Sequence, residues 1–114
     1  DANKAKSIFL SAGSGAVSKS STTSVNDNTW RLVGATYDRS GNLSIWVNGV
    51  SEASIDISGG LGENLDSGLA LTIGQFFANT GLPDNFYAWA LSDPMIFNRV
   101  LTQSEITKLY EREY

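Results

Sequence analysis

Trp46 stands between Ser44 and Asn48 in the stretch NLSIWVNG, and of all the side chains its type and setting offer the clearest chemistry. An indole face stacks on the apolar face of a pyranose ring, while small polar neighbours satisfy the sugar hydroxyls. Tyr87 and Trp89 repeat the pattern in FYAWAL, two residues apart and so in one strand phase. Trp46, Asn48, Tyr87 and Trp89 therefore form the candidate ligand-binding set. The competing reading is burial, because large aromatics supply much of any core.

Oxygen donors come next. Asn26-Asp27-Asn28, Asp38 with Asn42, Asn64 with Asp66, and Asp84-Asn85 are the clusters that could offer ligands to a hard cation. Calcium is the one cofactor such donors suit, and Asp38, Asn42, Asp66 and Asp84 are the candidate metal residues. None of the clusters has the spacing of a dedicated calcium loop, and turns built on Asx side chains account for all of them. Carboxylate pairs able to cleave a glycosidic bond are limited to Glu63 with Asp66, in a Gly-rich loop, and Glu52 with Asp56, on a strand. Neither pair has a motif around it, and solvated surface charge explains both.

Composition closes several routes. The chain has no histidine and no cysteine, which removes imidazole bases, Ser-His-Asp triads, thiolate nucleophiles, disulfides and the usual zinc sites. Twelve acidic residues against eight basic give a net charge of −4, with no Lys/Arg cluster to neutralise phosphates, so nucleic acid is not an expected partner. No apolar run reaches the length of a membrane span, no signal peptide is present, and the first residue is Asp1 rather than Met.

The elements that must position these groups are mostly strands. At 114 residues the chain reads as a single domain, 1–114. SIFLSAG (Ser7–Gly13) is a compact apolar strand, followed by a short strand at Ala16–Ser18 and a Ser/Thr-rich loop ending at Asn26-Asp27-Asn28. Trp30–Tyr37 alternates, with Trp30, Leu32, Gly34 and Thr36 on one face. Asp38–Asn42 is a turn in which Gly41 or Asn42 can take a positive φ. In the next strand Leu43, Ile45 and Val47 face one way, and Ser44, Trp46 and Asn48 the other. Asn48-Gly49 is a type I′ hairpin signal, and VSEASIDI returns as a third strand, completing an antiparallel meander over Trp30–Ile57. LALTIGQFF reads as a strand and ANTGLPDN as a loop. FYAWALSDPMIFNRVL reads as strand at both ends, bulged or split at Pro94. Thr102 with Glu105 is a capping box opening a helix over Thr102–Arg112, whose stripe of Ile106, Leu109 and Tyr110 packs on the strands.

WRLVGATYDRSGNLSIWVNG, followed by LTIGQ and then LSDPMIFNRVLTQSEITKLY, resembles the successive signatures of laminin G-like domains of the concanavalin A-like superfamily. The resemblance spans Trp30–Tyr110. It implies an all-β fold: an antiparallel jelly-roll β-sandwich with strands over 7–101 and a short C-terminal helix over 102–112. It also implies a sandwich shortened at the N-terminus, because relatives carry further strands before the segment matching Ser7–Gly13. It places Trp30 in the core, at a strand start, and raises the expectation of calcium at a loop rim.

The expected function is a non-catalytic recognition or adhesion module. It would bind a glycan or a protein partner on an extracellular, cell-surface or virion-surface protein, through a sheet face or the loops Asp38–Asn42, Ser58–Gly68 and Asn79–Asn85. The alternative is a virion or cell-surface structural subunit, a homo-oligomer or neighbour-paired element using an open sheet edge. Glycoside hydrolysis is a distant third. Neither nucleic acid nor membrane insertion is expected.

Overall fold

The computed structural model describes residues 3–11, 15–64, 66, 71, 73, 76–77, 83–84 and 90–113. They group into two compact units, Asp1–Leu65 with Phe97–Tyr114, and Asp66–Ile96. The described residues form mostly antiparallel β-sheet with one C-terminal α-helix.

The first unit opens with a long hairpin, β1 (Lys4–Ser11) against β2 (Gly15–Ser24). β2 runs ten residues, well beyond the short strand expected at Ala16–Ser18. The Ser/Thr-rich stretch that reads as loop is strand because β1 supplies a partner ladder, and β-branched Thr suits a pleated surface. The ladder is irregular once: Lys4 pairs with Ser24 and Lys6 with Ser20, so extra residues of β2 loop out between them. Ser21 turns inward there and its hydroxyl accepts the Ala5 N–H at 3.0 Å.

Across from the hairpin lies a meander, β3 (Val33–Tyr37), β4 (Asn42–Val47) and β5 (Val50–Asp56), in the order β3-β4-β5. Its central strand alternates strictly. Leu43, Ile45 and Val47 are buried, whereas Asn42, Ser44 and Trp46 are exposed or half-buried. Leu43, Ile45 and Ile57 form the core cluster, with Ala5, Val17 and Ile55 packed against it. Ala5 and Val17 belong to the hairpin, so the two sheets of this unit meet over that apolar row. Ser7 and Tyr37 add a hydroxyl–hydroxyl bond between the layers.

The β4–β5 connection is the expected Asn-Gly turn. Asn48 has φ 51° and Gly49 φ 83°, the two positive values a type I′ turn requires. The Asp38–Asn42 turn differs from expectation, since neither Gly41 nor Asn42 has a positive φ. A Gly41 N–H to Asp38 C=O bond of 3.0 Å closes it instead. A Cβ at Gly41 would lie 3.0 Å from the Asp38 carboxylate, so a larger residue there would require that side chain to shift.

Helix α1 (Gln103–Glu113) begins with a reciprocal capping box. The Thr102 N–H donates to Glu105 at 2.9 Å, and the Glu105 N–H to the Thr102 hydroxyl at 3.3 Å. Arg99 holds both carboxylate oxygens of Glu105, at 2.8 and 2.7 Å, and so anchors the helix entry. Ile106 is buried, Tyr110 packs over Gly49, and the Gln103 amide donates to the Gly49 carbonyl at 2.8 Å.

Within the second unit, β6 (Phe76–Phe77) pairs antiparallel with β7 (Pro83–Asp84). Pro83–Asp84 is thus paired strand where a loop is expected. Of LALTIGQFF, expected as a strand, Phe76–Phe77 is strand, Leu71 and Ile73 are not, and the other residues lie outside the described ones. Nor is strand assigned to 90–100, where Asp93 takes φ 51° directly before Pro94, a residue with no N–H to give a ladder.

Candidate functional site

In an antiparallel ladder, directly opposed residues share a face. The register therefore defines the side of the meander turned away from the core. Its rows are Gly34–Trp46–Ser51, Thr36–Ser44–Ser54 and Asn42–Asp56. Trp46 is half-buried at its centre, and its indole N–H donates to the Thr36 hydroxyl at 3.0 Å. That bond ties the ring across β3 and β4, fixing a large apolar surface among hydroxyls. Such an arrangement offers stacking plus hydrogen bonding, the combination that sugars require.

The charge of this face is low. Among the described residues its ionic groups are carboxylates: Asp38, whose N–H donates to the Asn42 carbonyl at 3.0 Å, and Asp56, which lies below the usual range because it accepts from the Ser58 side chain and, at 2.7 Å, from the Ser58 N–H. None of the eight cations belongs to these rows. Lys4, Lys6 and Lys19 belong to the hairpin, and Lys108 and Arg112 to the helix. Arg31 pairs with Asp27, Arg39 holds backbone carbonyls, and Arg99 holds Glu105.

Asn48, the second residue of the candidate set, makes backbone-directed bonds. It sits in the turn, and its side-chain oxygen accepts the Leu32 N–H at 3.0 Å while its own N–H donates to the Leu32 carbonyl at 2.8 Å. It thus extends the β3–β4 pairing by one step. Tyr87 and Trp89 lie outside the described residues. Trp30, expected in the core, is 59% exposed, since β3 starts only at Val33 and no strand pairing draws the ring inward.

The candidate metal residues divide between the units. In the first, Asp38 spends one carboxylate oxygen on the Ser40 N–H (3.0 Å) and hydroxyl (2.7 Å), and Asn42 opens β4 with an exposed side chain. In the second, Asp66 is exposed and Asp84 lies in β7. Among the described residues no three acidic groups gather. The first two expected loops are joined: the Arg39 guanidinium donates to the carbonyls of Gly60 (2.6 Å) and Glu63, and the Ile57 N–H reaches the Gly41 carbonyl at 2.8 Å.

Glu52 has a role that its position in sequence does not announce. Ile45 pairs with Ala53 but Trp46 with Ser51, so Glu52 is the extra residue of a bulge in β5. Bulges re-aim side chains. Here the carboxylate reaches the irregular part of β2, accepting the N–H groups of Thr22 (2.8 Å) and Thr23 (2.9 Å) and the Thr23 hydroxyl. Desolvation raises its pKa, but the bonds from Thr23 and Thr22 outweigh that and hold it below the ordinary 4.5. A carboxyl depressed in the folded state contributes stability above its unfolded pKa, and that contribution is lost as pH falls through the folded value. Glu105, lowered to about 2 by Arg99 and the Thr102 N–H, acts in the same sense. Stability should therefore fall as pH drops from 4.5 toward 2. Glu52→Gln should flatten that decline and raise amide exchange at Thr22 and Thr23 about tenfold. Unchanged exchange at both amides would show that the carboxylate does not hold β2.

A family model described as the concanavalin A-like lectin/glucanases superfamily, of laminin G type, matches residues 1–107. The chain belongs to that family. The laminin G-like match spans both the hairpin and the meander that carries Trp46. Among solved structures, the 2.1 Å crystal structure of an S-layer domain-containing protein (residues 221–444) from Clostridium thermocellum is similar in fold, with a TM-score of 0.59 and 21% identity. The likeness covers 94% of this chain and 51% of that one, so this laminin G-like chain spans about half the neighbour's length. No curated protein matches the sequence.

Proposed function

We propose that this laminin G-like chain is a non-catalytic carbohydrate-recognition module of an extracellular or cell-surface protein, and that its binding surface is the Trp46 face of the meander. The observation that carries this reading is the indole pinned to Thr36 within rows of hydroxyl side chains. Family membership is consistent with it, and the S-layer name of the structural neighbour fits a surface setting. Glu52 and Asp56 do not supply a reactive carboxylate pair in this reading. Glu52 is committed to β2, and Asp56 to the start of the 3-10 turn at Ser58–Gly60. Any calcium held by the first unit would draw on Asp38 and Asn42, at the turn end of the meander.

The test is binding of immobilised and soluble glycans by the intact chain and by Trp46→Ala. Loss of one stacked ring should weaken binding by tenfold or more, about 1.4 kcal/mol. Equal binding by both proteins would remove Trp46 from the site, and no binding to any glycan would end the reading.

A further inference from the structure

Gly34 lies in the interior of β3, directly opposite Trp46. Glycine in a strand interior weakens the strand, and three local causes commonly explain it: a bulge, a tight bend, or the close approach of something to the backbone. The first is absent, because β3 and β4 pair without a register shift from Val33–Val47 to Tyr37–Leu43. Nor does Gly34 have a positive φ that would itself call for glycine. Its neighbours do not demand it, because a Cβ there would meet nothing within 4 Å. The indole leans toward Thr36 instead of covering Gly34. Among the described residues, what results is a backbone-floored space beside a fixed aromatic ring.

Resting on the carbohydrate reading above, we infer that the space at Gly34 is a sugar subsite, and that it selects neutral glycans. A pyranose stacked on Trp46 needs room beside the indole for its ring edge and hydroxymethyl group, and a Cβ-free residue provides it. The hydroxyls of Thr36, Ser44 and Ser51 offer donors and acceptors but no positive charge. The ionic groups of these rows among the described residues, Asp38 and Asp56, are anionic and repel carboxylated or sulfated sugars. Gly34 is thus the specificity-determining position of the face.

The experiment compares wild type, Trp46→Ala, Gly34→Ala and Gly34→Val by calorimetry, with cellohexaose, xylohexaose and mannohexaose as neutral probes and hexagalacturonate as the acidic one. Gly34→Val should keep or raise the thermal midpoint, because valine favours a strand, yet weaken neutral-glycan binding about tenfold or more. Gly34→Ala should weaken it about threefold and serves as the readout if the valine variant does not fold. Wild type should not bind hexagalacturonate. If Trp46→Ala abolishes binding while both Gly34 variants bind as wild type does, the subsite is overturned and the carbohydrate reading stands. Binding of hexagalacturonate as tight as that of the neutral probes overturns the charge selection. Failure of wild type to bind any probe overturns the subsite together with the reading beneath it. A dimer in sedimentation that Gly34→Val converts to monomer would assign the space to another chain's backbone and overturn the inference.

Discussion

Leu43→Ala is expected to cost about 3 kcal/mol of folding stability, within the 2–5 kcal/mol that a large-to-small change in a closed core removes. Leu43 is 0% exposed and sits in the cluster where the hairpin meets the meander, with Ile45 and Ile57 beside it. Truncation removes apolar contact from both layers at once. The site has little freedom to collapse, because Leu43 is held by pairing on both sides, with Tyr37 and with Ile55. Domains of this size are stable by roughly 5–15 kcal/mol, so the loss should appear as a large drop in denaturation midpoint with little change in slope. A measured cost below about 1 kcal/mol would mean that the hairpin does not close over this row in solution.

Gly49→Val should be comparably damaging, by about 2–3 kcal/mol, for two independent reasons. Gly49 has φ 83°, and a β-branched side chain is poorly tolerated in that region. A Cβ there would also lie 3.3 Å from the Cβ of Tyr110 on helix α1. The turn and the helix are further joined by the bond from Gln103 to the Gly49 carbonyl. Strain in the turn should therefore loosen the helix as well, so amide exchange across Gln103–Glu113 should accelerate beyond the global loss of stability. Gly49→Ala keeps the conformational penalty with a smaller side chain, and should cost about 1 kcal/mol. If the helix amides of the valine variant exchange as in wild type, the helix does not depend on this contact.

The parts legible in the sequence were those governed by local rules. Period-two alternation in NLSIWV separated Leu43, Ile45 and Val47 from Ser44 and Trp46, because successive strand side chains must point to opposite faces. Asn48-Gly49 announced a type I′ turn, since few other pairs accept two positive φ values. Thr102 and Glu105 announced the helix start by their reciprocal bonds. The family signatures draw on the same local features, which is why they could be read along the chain.

What depended on partners distant in sequence was not legible. β2 extends to Ser24 because β1 lies alongside it, and nothing in SKSSTTS encodes that neighbour. Asn48 has the composition of a ligand residue, and only the structure shows its side-chain oxygen accepting the N–H of Leu32, sixteen positions away. Glu52 reads as surface charge, yet a bulge in β5 turns it toward N–H groups that an irregularity in β2 has left without ladder partners. Gly34 reads as one small residue in an alternating strand, and only the register places it beside Trp46. Alternation thus determined which face Trp46 occupies. Tertiary structure decided what stands around it, because strand register and bulges are set by pairing energies between segments that the chain itself keeps far apart.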